Sequence, residues 1–456
     1  AIVSSMNNLT INNASGVSMN KNLNIAGVLT LTNGTFTVGA FTLTINNPVA
    51  GTVNNLSANN ISSITIAGTA AGVNLPASVS QLNNLTVSNT QGTTLQGNLN
   101  VGGTLFITAS AGTVDADFDI TLNGNGNLIM NGGNLRLAKN GVVLPELSGA
   151  YSLTGGTVTF NGVGIGSDAQ TVRPVNYFNL TSNPTGGYRI RSSTGVIGIA
   201  NVFTPSTNNY TVTGSTVDFN KPAGQNIPAF TFYNLRISGG SAVLKTLTGN
   251  IGIKAAFTIA PNTRFSLAAF DATLKSDATG TANVDIIPTA NSIIYGGTGR
   301  FVVERYIPTA VSHGKSWQLL ATPSFGQSLK DSWQEGNGPL AYTTPLLGTT
   351  ITSDKAGAVA RGYDFYTPAG GPSIKTYNPA TNNWVGIDDG STSTSSLPIA
   401  NKKGYMIFVR GDRSVQTSAA AATVTTLRTR GKIYAIGADA PPSTTVAAVK
   451  LETVGN

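Results

Sequence analysis

Short alternating runs dominate the first three hundred residues. Leu9-Thr10-Ile11, Leu23-Asn24-Ile25, Leu85-Thr86-Val87 and Leu99-Asn100-Val101 each place aliphatic side chains on one side and small polar ones on the other. A period of two is the mark of a half-buried strand. No apolar face of helical period and useful length interrupts it, and the dense Asn, Gly, Thr and Val resist helix. Asn-Asn and Gly-Gly pairs between the runs tolerate positive φ, so the chain can turn a corner after each strand.

The runs belong to longer repeats. Asn8-Leu9-Thr10-Ile11 returns as Asn84-Leu85-Thr86-Val87, Asn179-Leu180-Thr181-Ser182 and Asn234-Leu235-Arg236-Ile237. A second module follows each copy: Asn22-Leu23-Asn24-Ile25, Asn98-Leu99-Asn100-Val101, Val196-Ile197-Gly198-Ile199 and Asn250-Ile251-Gly252-Ile253. Strand, corner and strand in degenerate repetition predict a β-solenoid, in which no coil buries its inward face alone and stacked coils share one core. At about 20–25 residues per coil, residues 1–299 form on the order of a dozen coils, a rod roughly 60 Å long at ~4.8 Å between stacked strands. Asn fills 20 of the first 100 positions, enough for stacked side chains to hydrogen-bond as ladders. A string of small β-sandwiches is the competing architecture, but the Asn-Leu motifs lie 76, 95 and 55 residues apart, spacing that sandwiches of constant size would not produce.

The pattern changes near residue 300. All three tryptophans (Trp317, Trp333, Trp384), the sole histidine (His313) and 25 of the 46 charged residues lie at or after Arg300. Phe301 to Pro308, closed by its proline, Ser316 to Ala321, Ile374 to Pro379, Trp384 to Ile387, and Gly404 to Asp412, which runs into a polar turn, read as strands, with one or two more between Thr423 and Tyr434. The expected architecture is all-β: an N-terminal β-solenoid over 1–299, then an aromatic-richer β-sandwich of jelly-roll kind over 300–456 that continues beyond the chain end.

Composition narrows the chemistry. Only 10% of residues are charged and none is cysteine, which removes thiol nucleophiles, disulfides and zinc–thiolate sites and suits an exported protein. No run of 18 apolar residues predicts a transmembrane helix. Ala1-Ile2-Val3 follows no leader-like stretch, so the numbering reads as starting after a removed signal peptide. Net charge is +8, yet Lys21 is the only charged residue before position 115 and the later cations are scattered singly. No nucleic-acid partner is expected from that distribution.

Candidate chemistry is sparse. Asp115, Asp117 and Asp119 would share one face of a continuous strand and could hold Ca²⁺, although a solvated strand face or loop is the plainer reading. The first 114 residues carry no carboxyl group, which removes much of the solenoid from the paired-acid chemistry of glycoside hydrolysis. His313 lacks a Gly-x-Ser-x-Gly partner and reads as a surface-loop residue. Asp388-Asp389-Gly390 reads as a turn. Gly124-Asn125-Gly126 has no following Lys-Ser/Thr or helix and is no phosphate loop. Trp317, Trp333 and Trp384 either fill the sandwich core or form a platform for sugars. The Asn-x-Ser/Thr triplets at Asn8, Asn33, Asn84 and Asn179 arise by chance in a chain of this composition. No catalytic, cofactor-binding or metal-binding residue is assigned, and no cofactor is expected.

Several segments near the C-terminus come in a recognisable order. They are Arg305-Tyr306-Ile307-Pro308, Trp317-Gln318-Leu319-Leu320-Ala321-Thr322-Pro323, Ser332-Trp333-Gln334-Glu335-Gly336, Tyr377-Asn378-Pro379-Ala380-Thr381-Asn382-Asn383-Trp384, Lys402-Lys403-Gly404-Tyr405-Met406-Ile407-Phe408-Val409-Arg410-Gly411-Asp412-Arg413 and Thr426-Leu427-Arg428-Thr429-Arg430-Gly431. Together they resemble a region of large secreted, adhesin-like repeat proteins of Bacteroidetes exported by the type IX secretion system. The resemblance is specific over the last 150 residues and generic in the repeats. It implies an extracellular or cell-surface location and brings no catalytic residues. It also implies that Val454-Gly455-Asn456 runs on into further sequence and a sorting domain, so the chain reads as a fragment, a processed form or the ordered part of something longer.

The expected function is that of a non-enzymatic structural or adhesive surface protein. Self-association through solenoid ends, by stacking or strand donation, would make it the subunit of a filament. Ala1-Ile2-Val3 at one end and the β-prone Thr444-Thr445-Val446-Ala447-Ala448-Val449 at the other are the candidate contacts. The alternative is a carbohydrate-binding or polysaccharide-degrading β-helix protein, with surface glycans as partners.

Overall fold

The computed structural model describes residues 4–117, 119–182, 189–192 (backbone only), 194–207, 209–240, 242–285, 287–288, 292–309, 314–339, 341–399 and 403–433. The expected contacts at 1–3 and 444–449, and His313, lie outside these. Two compact units divide the chain, Ala1–Gln225 and Asn226–Asn456. The molecule is nearly all β, with a β-solenoid of about 12 turns up to residue ~274.

In the first unit, parallel strands stack coil upon coil. Leu23–Ile25 pairs with Thr42–Ile45, which pairs with Ser63–Ile66, which pairs with Gln81–Val87. Narrower faces stack beside them, such as Leu9–Asn12 on Leu29–Asn33 and Val17–Ser18 on Phe36–Thr37. The alternation carries the core: Ile25, Leu43, Ile45, Ile66, Leu85, Val87, Val101 and Leu105 are all fully buried, while the intervening Thr and Asn face outward.

The repeated asparagines do more than turn corners. Asn84 Oδ1 accepts the Thr104 N–H at 2.9 Å, one coil further on. Asn8, Asn22, Asn98, Asn234 and Asn250 do the same for Val28, Thr42, Thr121, Ala256 and Asp271, at 2.7–3.1 Å. Backbone N–H groups at a corner fall outside the strand ladder and need a partner when covered, and the asparagine amide is the short acceptor that reaches them. Asn179 departs from the set, donating to Gly156 O at 2.9 Å. Side-chain ladders also form, from Asn46 to Asn24 (2.8 Å), Asn100 to Asn123 (3.1 Å) and Asn201 to Asn179 (2.8 Å).

The second unit opens with three more stacks. Phe230–Phe232, Ile251–Ile253 and Ala272–Leu274 form one of them, around a core that holds Phe257, Phe265 and Phe301 at 5.0–6.3 Å between ring centres. Phe301–Ile307 then ends the parallel regime. One edge pairs parallel with Ala272–Leu274 and the other antiparallel with Thr425–Ile433. Ion pairs bind the same region: Lys275 with Glu304 at 3.0 Å and Arg430 with Asp271 at 2.9 Å. The compositional change near residue 300 therefore falls inside this unit, at the strand where pairing changes direction.

An antiparallel sheet of Ser316–Ala321, Gly404–Val409, Ile374–Asn378 and Asn383–Gly386 lies beyond. Its inner face (Ile374, Tyr405, Ile407, Val409) shares a core with Ile307, Leu427, Leu329, Ile351 and Tyr363. Trp333 sits in that core, 2% exposed, with its ring 5.5 Å from Tyr405. Behind it Arg413 makes a two-pronged ion pair with Asp364 at 2.7 and 2.8 Å. Both side chains are 2% exposed, and Asp364 also accepts from Ile351 N and Gln334 Nε2.

Candidate functional site

The outer face of the same antiparallel sheet is left uncovered among the described residues. Register places its outward side chains in rows. Trp317 lies opposite Phe408, Leu319 opposite Met406, Met406 opposite Lys375, and Tyr377 opposite Trp384. Leu319 is 72% exposed, Tyr377 47% and Trp317 43%; Met406, Phe408, Lys375 and Trp384 are half-buried by one another. Two aromatic pairs result. The Trp317 and Phe408 ring centres are 5.1 Å apart, and Tyr377 meets Trp384 edge-on at 5.7 Å. Between them Lys375 extends across the sheet until its ammonium is 5.1 Å from the centre of the Trp317 ring.

The face carries no carboxylate, since all four strands lack Asp and Glu. Beside Leu319 a cleft of about 400 Å³ opens, lined in part by Arg305, Leu320, Pro323, Leu427 and Glu304, whose carboxylate is taken by Lys275 at 3.0 Å. Arg305 is exposed, and neither it nor Lys375 forms an ion pair among the described residues. An apolar, ring-bearing surface with two uncompensated cations can stack flat ligand faces and attract negative charge.

Other candidates resolve into architecture. The strand Thr113–Ala116 stops before Asp117, and Asp119 adopts φ 63°, so the three aspartates do not share a strand face. Asp115 is gripped by Arg136 of the adjoining coil, and its hydrogen bond, before any longer-range attraction, pushes the Arg136 guanidinium pKa up. A protein cation thus occupies the place offered to Ca²⁺. Among the described residues no group of three or more His, Asp or Glu is set to hold a metal ion. Asp389 caps its own turn through Ser391 and Thr392, with the Thr392 hydroxyl as the main cause holding its pKa well below the carboxylate range. Asp388 is desolvated, which pushes its pKa up, yet bonds from Ser353 (2.5 Å) and Arg361 (2.6 Å) bring it below the usual value. Gly124-Asn125-Gly126 is a solenoid corner, with Gly126 N donating to Val101 O. The tripeptide Arg410-Gly411-Asp412 presents no charge to a partner: Arg410 and Asp412 are 4% and 5% exposed.

The three tryptophans are split, Trp333 to the core and Trp317 and Trp384 to the outer face. Sequence reading missed Tyr377, Phe408, Leu319, Met406 and Lys375 as their companions. The available signal was that Trp317, Leu319 and Leu320 make both alternating faces of one strand apolar, where a strand with one solvated face alternates cleanly.

No protein-family model matches the chain, and neither a curated protein nor a solved structure matches it.

Proposed function

We propose that this is a non-enzymatic, exported adhesive protein of the cell surface, in which a solenoid scaffold accompanies a recognition domain that binds through the outer aromatic sheet face. The observation that carries the reading is the cluster of Trp317, Phe408, Leu319, Tyr377 and Trp384 on an uncovered face. Contiguous apolar surface of this kind marks interaction sites in soluble proteins, and exposed Trp and Tyr concentrate binding energy. The absence of cysteine, the low charge and the resemblance to type IX-exported repeat proteins support an extracellular location. A non-catalytic role is supported by the buried carboxylates of the domain. Asp364, Asp388 and Glu335 are held by Arg413, Arg361 and Arg428 respectively, which commits them to structure.

The test is retention of the purified chain on immobilised polysaccharides and whole cells, with assay of released reducing ends. Retention that falls about tenfold or more in Trp317→Ala/Trp384→Ala, without sugar release, is the expected result. Release of reducing ends, or retention indifferent to both tryptophans, would overturn it.

A second reading is assembly into a filament. The parallel stacking of coils, in which each strand pairs with its counterpart one coil on, is a pattern that strands of another copy could extend. Electron microscopy of concentrated protein decides it: fibres support assembly, and a strictly monomeric species removes it.

A further inference from the structure

We infer that the occupant of the outer sheet face is an extracellular polysaccharide rich in uronic acids, an inference that rests on the adhesive reading above. Three features select this ligand.

The aromatic pairs are spaced for a chain of rings. Phe408 lies opposite Ser373, four residues along the neighbouring strand from Tyr377. Strand geometry puts the two aromatic positions roughly 14 Å apart, a span of about three sugar residues. Pyranose rings present C–H faces that pack on aromatic rings, and Trp317 and Tyr377, 43% and 47% exposed, are open to them.

The charge is one-sided. Lys375 stands between the two pairs, over Trp317, and Arg305 lines the cleft at the Leu319 edge. No acidic side chain lies on the four strands beside Lys375, and Glu304, the carboxylate that lines the cleft with Arg305, is engaged by Lys275 at 3.0 Å. A carboxylate on every sugar would meet Lys375 in a charge-assisted hydrogen bond, whereas a neutral glycan would leave both cations unused.

The face is also small. Four strands by five residues cover roughly 300 Å², against the ~800 Å² per partner of a stable protein interface. A second copy docked symmetrically on this face would in addition bring the central Lys375 toward its own image. Both points disfavour a dimer and suit an oligosaccharide.

Titration calorimetry of the full chain with polygalacturonate and with a neutral β-glucan oligomer, at low and high salt, tests the inference. Lys375→Gln, Trp384→Ala and, as a charge control in the solenoid, Lys21→Gln serve as variants, each checked for unchanged melting temperature. The expected result is saturable binding of polygalacturonate that weakens with salt. Binding should drop about tenfold in Lys375→Gln and in Trp384→Ala, and be unchanged in Lys21→Gln. Equal or tighter binding of the neutral oligomer, still dependent on Trp384, would overturn the acidic ligand while leaving the adhesive reading standing. Binding to neither polymer, with retention on surfaces indifferent to the tryptophans, would remove both. A dimer in sedimentation that is dissolved by Leu319→Ser would assign the face to a second copy instead.

Discussion

The ammonium of Lys375 lies 5.1 Å from the centre of the Trp317 ring although the two residues stand on strands separated by a third. The lysine stem crosses the intervening strand, which bears Met406 and Phe408, to get there. Such an exposed contact is worth about 0.5–1 kcal/mol. Lys375→Ala should accordingly lower unfolding free energy in urea by no more than about 1 kcal/mol. A loss several times larger would make the lysine a structural strut.

Asn84 should matter more than its partly exposed position suggests. Its Oδ1 holds the Thr104 N–H of the next coil at 2.9 Å, and Asn84→Ala leaves that donor without its acceptor. The expected cost is about 1–3 kcal/mol, with faster amide exchange at Thr104. Unchanged exchange there would show that the amide finds another acceptor.

Arg413→Met strands the Asp364 carboxylate in the core, where two backbone or amide donors remain but no cation. Losing one partner of such a buried pair costs about 3–5 kcal/mol. Chemical denaturation should show that loss, and Arg413→Met/Asp364→Leu should recover part of it. If the double variant is no more stable than the single one, the ion pair is not what holds this region.

Alkaline stability should decline through a tyrosine. Burial pushes the Tyr151 phenol from 10.0 up to about 12, against the pull of Arg173, and Tyr177 and Tyr363 are raised further by the same desolvation. Between about pH 10 and about pH 12 the folded state keeps a proton that the unfolded chain has released. The stabilisation is thus complete below about pH 10 and lost as pH rises through about 12. Urea midpoints at about pH 9 and about pH 11 should fall with pH, less steeply in Tyr151→Phe. Parallel slopes in the two proteins would remove Tyr151 from the account.

The solenoid was legible because its physics is local. Alternation in Leu85-Thr86-Val87 and the asparagine before it state which side is buried and where the corner falls, and coils pairing 20 to 23 residues apart repeat that statement. The outer aromatic face was not legible, because exposure on a sheet is decided by what packs across from it. Trp333 and Trp317 look alike along the chain, and only the core around Tyr405 and Ile407 separates them. Between the strand face and the loop that the sequence allowed for Asp115, Asp117 and Asp119, local spelling could not choose. The strand ends at Ala116 and Asp119 turns left-handed, although the spelling Asp-Ala-Asp-Phe-Asp continues the alternation.

The strand Phe301–Ile307 gives the molecule a chronology. Its parallel edge on Ala272–Leu274 can form as soon as it is made, but its other edge waits for Thr425–Ile433, where Glu304 meets Arg428. For a chain emerging from its N-terminus, that edge stays open while the four strands of the antiparallel sheet, the last of them Gly404–Val409, are made. A molecule interrupted before residue 425 would therefore present an unpaired strand edge that other chains can join.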